Sequence, residues 1–191
     1  MAYFQKAFNL VMMNEGGYVD DKDDAGGETY KGISRRYNPT WEGWKEIDIL
    51  KLKSDFPKGL LNNMLVKDSV NVFYKQRYWD RLLCDEIKYQ LLAEELFDTA
   101  VNMGVSRSSN FFQQALNLLN RNEKLYPDLV EDGKIGQKTL DALDMLPGKD
   151  MEYLLKIINI LQGMHYISYM KDSPIQEKYA RGWLGRVSIE K

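Results

Sequence analysis

Between Asn14 and Ile33 the chain reads NEGGYVDDKDDAGGETYKGI, which gathers carboxylates, glycines and hydroxyls into one short run. Residues of these types suit glycoside hydrolysis, which needs a proton-bearing carboxyl at the leaving oxygen and a second group that handles water or a developing positive centre. Glu15 suits the first task. Phe4, Phe8, Val11 and Met12 recur at helical spacing, and Glu15 falls one turn beyond Val11 on that stripe, so the acid is expected to point toward the core. Burial disfavours an ionised carboxyl and keeps its proton available near neutral pH. Asp24 follows nine residues later through a glycine-rich loop, and the hydroxyl of Thr29, five further on, could hold a water. An acidic, glycine-rich loop is also the ordinary composition of a solvated turn, and spacing alone does not separate the two readings.

Other hydrolytic chemistries fit poorly. A lone His165, set in an apolar helical pattern, and a lone Cys84 leave little for a nucleophilic triad, a thiolate–imidazole metal cluster or an internal disulfide. The run Asp20-Asp21-Lys22-Asp23-Asp24 suggests calcium, but either reading frame puts Lys22 or Ala25 where an EF-hand loop needs a ligand or a glycine. No metal and no cofactor is expected.

The elements that must position these residues are mostly helical. Apolar periodicity predicts helices over residues 62–82, with Leu65, Ser69, Val70, Phe73 and Arg77 on one side, and over 91–103, closed by Gly104. Further helices are expected over 110–120, with N-caps offered by Ser106 to Ser109, over 137–143 after the turn EDGKIG, and over 151–169, where His165 shares a stripe with Leu154, Leu155, Ile158 and Leu161. The stretch 27–33 suits a short hairpin or irregular loop, and 35–58 a surface excursion with short helical turns. The fold class is mainly α, and with no low-complexity linker any two lobes are expected to be fused.

The 191 residues are 44% apolar and 12% aromatic, enough for a substantial core. Lys and Arg total 26 against 28 Asp and Glu, with no long block of one sign, which argues against nucleic acid or an anionic membrane as partner. The N-terminus MAYFQKAFNLVMM lacks a small-residue cleavage site, and no stretch approaches a membrane span. If the substrate lies outside the cytoplasm, export from there is expected to use another route, such as a holin-like pore or cell lysis.

The residues also carry a resemblance. EGGYVDDKDDAGGETYKGIS resembles the signature of glycoside hydrolase family 108, lysozyme-like N-acetylmuramidases that include proteins labelled secretion activator. FDTAVNMGVSRSSNFFQQALN, DGKIGQKTLDAL and RGWLGRV resemble the peptidoglycan-binding-like region that follows it, so the likeness covers nearly the whole chain. It implies a lysozyme-like fold of two fused helical lobes with a short hairpin or loop at the active-site cleft, a catalytic region over 1–95 and a wall-binding-like region over 96–191, packed as one globular unit, with peptidoglycan glycan strands as substrate. It further implies cleavage between N-acetylmuramic acid and N-acetylglucosamine, with Glu15 as proton donor, Asp24 as base or electrostatic partner and Thr29 positioning water. Lys22 and Ala25 stand where that family often has proline.

Other residues are weighed beside these. Asp98, within an apolar helix pattern, competes with Asp24 for the second role or is a structural partner of Asn102 or an arginine. Asp98 and Asn102 are candidate substrate contacts, as are Tyr18 and Tyr30, whose flat rings could stack on sugars or pack in the core. Glu94 and Glu95 are expected to face solvent, with a second catalytic carboxylate as the alternative for either; Trp41 and Trp44 are expected to pack the excursion onto the body, with a sugar platform as the alternative, and Trp183 and Arg186 to fasten the C-terminus onto the first lobe. The EDGKIG turn is expected to finish the fold. Inversion versus retention stays open, and the rivals are a lytic transglycosylase leaving 1,6-anhydro ends and a non-catalytic wall-binding or secretion-regulating protein.

Overall fold

The computed structural model describes residues 1–21 and 26–187. Among the described residues, eight α-helices and one three-stranded sheet form two compact units, Tyr3–Asp80 on the one hand and Arg81–Lys191 with Met1–Ala2 on the other. The fold is mainly α.

In the first unit, α1 (Phe4–Asn14) buries Ala7, Phe8 and Val11. Three two-residue strands follow, β1 (Tyr18–Val19), β2 (Thr29–Tyr30) and β3 (Ile33–Ser34), paired antiparallel in the order β1-β2-β3. The expected hairpin is therefore β2–β3. Tyr30 pairs with Ile33, and the two residues between them, Lys31 and Gly32, have φ of 48° and 74°. Positive φ at both positions gives the turn whose twist matches that of the flanking strands. Helix α2 (Gly43–Leu50) organises the excursion and buries Trp44, Ile47 and Leu50.

Helix α3 (Met64–Tyr74) begins at Asn63, whose side chain accepts from the Val66 N–H, and runs on through a π-turn, Lys75–Trp79. Its buried face is Val66, Val70 and Tyr74, with Trp79 at the end of the π-turn. The sequence periodicity puts Leu65 and Arg77 on that face, but Leu65 is exposed; the periodic reading also assumes a uniform helix, and a π-turn adds a residue to one turn and rotates every side chain beyond it. Phe4 and Phe8 meet Trp79 and Tyr74 edge-on, with ring centroids 5.5 and 5.7 Å apart, and so bind α1 to α3. Trp41 and Trp44 pack together, their indole N–H groups donating to Ser69 O and Asn38 O.

In the second unit, α4 (Gln90–Met103) and α5 (Val105–Leu119) pack tightly, and α5 packs in turn on α7 (Met151–Asp172). Helix α5 starts five residues earlier than expected. Ser108 and Ser109 are buried inside it and do not cap it, and Ser108 Oγ donates to Leu96 O. On α7 the buried stripe is Leu154, Ile158, Gln162 and Tyr166, whereas Leu161 and His165 are half-buried at its edge, His165 stacked on Tyr169. The turn before α6 (Gln137–Met145) is clamped by one face of α5. Gln113 donates to Asp132 Oδ1 and Lys134 O and accepts from the Gly133 N–H, while Asn110 donates to Glu131 O. Those bonds give the EDGKIG turn a structural role.

Helix α8 (Ala180–Leu184) folds back on α7. Trp183 stacks on Tyr166 at 5.2 Å, and Arg186 Nη1 donates to Asp98 Oδ1 at 2.6 Å. Trp183 and Arg186, expected to fasten the C-terminus onto the first lobe, are held within their own unit by a ring from α7 and a carboxylate from α4.

Candidate active site

Helix α1 ends at Asn14, and Glu15 is the first residue beyond it, with extended backbone (φ −85°, ψ 134°). It is half-buried, but not by continuing the helical stripe: the chain turns out of the helix ahead of Gly16 and Gly17 and directs the side chain toward the β2–β3 turn. A Cβ added to Gly32 would lie 2.5 Å from Glu15 Oε2 and 2.7 Å from the Tyr74 hydroxyl. The Glu15 carboxyl and the Tyr74 phenol therefore share the space over the Gly32 Cα. Tyr74 Oη donates to Lys31 O at 2.8 Å, and Lys31 Nζ reaches Glu15 O at 3.5 Å, so the turn is tied to both α3 and the end of α1.

Burial, with the Glu15 carboxylate adding to it, raises the Tyr74 phenol far above its ordinary pKa, so Tyr74 remains a neutral donor. Tyr78, on the π-turn, is also raised, mainly by burial and further by Glu15, against the pull of Arg77. Two phenols on two helical elements thus surround the acid. Neither stands out in sequence, where Tyr74 and Tyr78 read only as aromatic mass.

The opposite end of β2 is held by charge. Glu28 accepts from Tyr18 Oη at 3.1 Å, Arg35 Nη1 at 2.9 Å and Lys51 Nζ at 2.7 Å, and Arg35 also pairs with Asp48. Burial alone would raise the Glu28 pKa, but hydrogen bonds from Lys51, Arg35 and Tyr18 outweigh it and hold the carboxyl below its usual value. This hub precedes Thr29 directly and ties β2 to α2. Its partners come from β1 and from the residues that directly follow β3 and α2, so no local pattern announces it.

Of the residues singled out from sequence, the first unit brings together Glu15, Tyr18, Thr29 and Tyr30. Thr29 Oγ1 donates to Gly27 O at 3.0 Å, which leaves its lone pairs to accept. Tyr18 is half-buried, its hydroxyl on Glu28 and its ring edge-on to Phe56. Tyr30 is only 3% exposed, so its ring lacks an open face for a sugar; as the partner of Ile33 it packs into the core. Asp24 lies outside the described residues. Asp98 and Asn102 belong to the second unit. The Asp98 carboxylate is paired with Arg186, and Asn102 donates to Asp98 O.

Glu95 does not face solvent as expected. It accepts from Thr99, whose hydroxyl in turn accepts from Gln162, and burial lifts its pKa to about 7, with Asp98 adding to the rise and Asn159 and Thr99 opposing it. Arg186 and Tyr166 complete this group. A carboxyl raised in the folded state binds its proton more tightly there than when unfolded, so stability falls as pH climbs from about 4.5 to 7, by at most roughly 3 kcal/mol. Glu95→Gln is expected to raise the thermal midpoint at pH 8, with the gain shrinking at pH 5. Equal midpoints for both proteins at pH 8 would refute this linkage.

Among the described residues no cluster of His, Cys, Asp and Glu could hold a metal, and no helix is long and apolar enough to cross a membrane. A half-buried carboxyl against a tight hairpin turn, in a mainly helical body, has the character of a glycoside hydrolase. The family model described as Glycosyl hydrolase 108 matches residues 8–104, and the chain belongs to that family. A second model, described as Predicted Peptidoglycan domain, matches residues 107–188, so the chain is a peptidoglycan-related hydrolase. A solved structure of Brucella abortus SagA is similar in fold, with a TM-score of 0.62 and 23% identity over 96% of this chain and 88% of that one. No curated protein matches the chain.

Proposed function

We propose that the chain is an N-acetylmuramidase that hydrolyses the bond between N-acetylmuramic acid and N-acetylglucosamine in peptidoglycan. The observation that carries this reading is the Glu15 carboxyl seated over Gly32 beside the Tyr74 hydroxyl. Glu15 gives its proton to the leaving glycosidic oxygen as the bond to the anomeric carbon breaks. Positive charge develops on that carbon and the ring oxygen, and water adds to it. Asp24 takes the proton from that water or stabilises the charge, and Thr29 accepts a hydrogen bond from the same water. The Glu28 hub and the Tyr74–Lys31 bond hold the two ends of β2 in register for this work. The enzyme acts as a monomer on the wall, outside the cytoplasm, after export or lysis, and the second unit holds the polymer.

Digestion of purified peptidoglycan, with product ends identified by mass spectrometry, tests the reading. Reducing muramic ends are expected. Anhydro ends would instead mean a lytic transglycosylase, in which the muramic 6-hydroxyl replaces water, and intact glycan with retained wall binding would mean a non-catalytic protein. Thr29→Val keeps the shape and removes the hydroxyl; hydrolysis is expected to fall roughly tenfold or more, as for a lost transition-state hydrogen bond, with wall binding unchanged. Parallel loss of both would make Thr29 a structural residue.

A further inference from the structure

A groove of ≈ 420 Å³ in the first unit lies between α1, the β2–β3 turn and α3. Its floor is apolar, formed by the largely buried Phe8, Tyr30 and Val70. Leu61 and Met64 form a wall and are 58% and 65% exposed, a high value for large apolar side chains on adjoining helical turns. The rim is charged. Lys31 stands at one side and Lys67 at another, with Asp68 next to Lys67. Lys67 is exposed and makes no ion pair among the described residues.

Lys31 joins this groove to the acid. Its Nζ reaches Glu15 O, its own carbonyl accepts from Tyr74, and Gly32 beside it carries the Glu15 carboxyl. A group projecting from a sugar held over Glu15 would thus pass the turn and enter the groove. On a muramic residue that group is the lactyl-linked stem peptide, which begins with a small apolar residue and continues with free carboxylates and, in many walls, an amine. An apolar floor suits the first part, the two lysines the carboxylates, and Asp68 the amine.

From this complementarity we infer that the groove is a subsite for the acidic stem peptide, making peptide-bearing glycan the preferred substrate. The inference rests on the proposed muramidase reading, but its test does not require turnover. Binding of N-acetylmuramic acid, with and without its stem peptide, is measured calorimetrically on Glu15→Gln protein. The peptide-bearing ligand is expected to bind roughly tenfold or more tightly, from charge-assisted contacts. Lys67→Ala and Met64→Ser should erase most of that difference and leave binding of the bare sugar unchanged. Equal affinity for the two ligands, or unaltered affinity in both variants, overturns the inference. So would a concentration-dependent dimer broken by Met64→Ser, which would give the groove to a second copy of the chain. Failure of the wild type to cut any glycan, with peptide-dependent binding intact, would refute the muramidase reading and leave the subsite standing.

Discussion

Glu15→Gln is expected to lower glycan hydrolysis by roughly 10²- to 10⁴-fold, the range that general acid catalysis supplies, while folding is preserved. Gln is isosteric with Glu and retains an oxygen and a nitrogen for polar contacts, but it has no proton to give the leaving oxygen. The site that receives it is defined on one side by Gly32 and on another by Tyr74, and Gln occupies the same space as Glu there. The thermal midpoint and far-UV spectrum should therefore match the wild type, and dye release from labelled peptidoglycan should not. Residual activity above a tenth of wild type would assign the proton to another residue.

The second large effect concerns a residue that does no chemistry. Gly32→Ala should destabilise the protein by about 3 kcal/mol and also remove most activity. The backbone at Gly32 has φ of 74°, where an L side chain is strained by about 1–2 kcal/mol. The added methyl would also lie 2.5 Å from Glu15 Oε2 and 2.7 Å from Tyr74 Oη, so the acid or the turn must move. Misplacement of a catalytic group by about 1 Å can cost roughly a hundredfold in rate. Gly27→Ala is the control. Its φ is 60°, but a methyl there meets nothing within 4 Å among the described residues, so only the strain of about 1 kcal/mol applies and activity should largely survive. Equal losses of midpoint and activity in the two variants would mean that Glu15 does not depend on the contact over Gly32.

The two variants also mark how far the site was legible in sequence. Glu15 was readable because a carboxyl follows an apolar helical stripe and precedes two glycines, although the helix stops one residue before it and the acid is turned inward by extended backbone. The hairpin was readable from Gly27 to Ile33, since Lys31-Gly32 between short polar and apolar pairs is turn chemistry. Tyr74 and Tyr78 were not. They lie more than fifty residues from Glu15 in the chain, and the π-turn that carries Tyr78 offsets helical periodicity. Glu28 was passed over because its three donors come from separate elements. The misplaced faces have one cause. On α3 and α7, apolar spacing fits more than one stripe, and the choice of Val66 over Leu65, or of Gln162 and Tyr166 over Leu161 and His165, was made by the elements that pack against the helix.

From sequence alone came the mainly helical class, the positions of most helices, the acid proposed to lead the site and the lack of a second cysteine for a disulfide. Those features depend on residue type and on contacts within a turn or two, where periodicity and turn propensity act directly. Tertiary structure decided the rest: the pairing of Asp98 with Arg186, the burial of Glu95, the phenols around Glu15 and the groove that begins at Lys31. Each of these depends on which distant side chain meets a charge or fills a space once water is excluded. Such meetings arise from the packing of whole elements, and no local spacing encodes them.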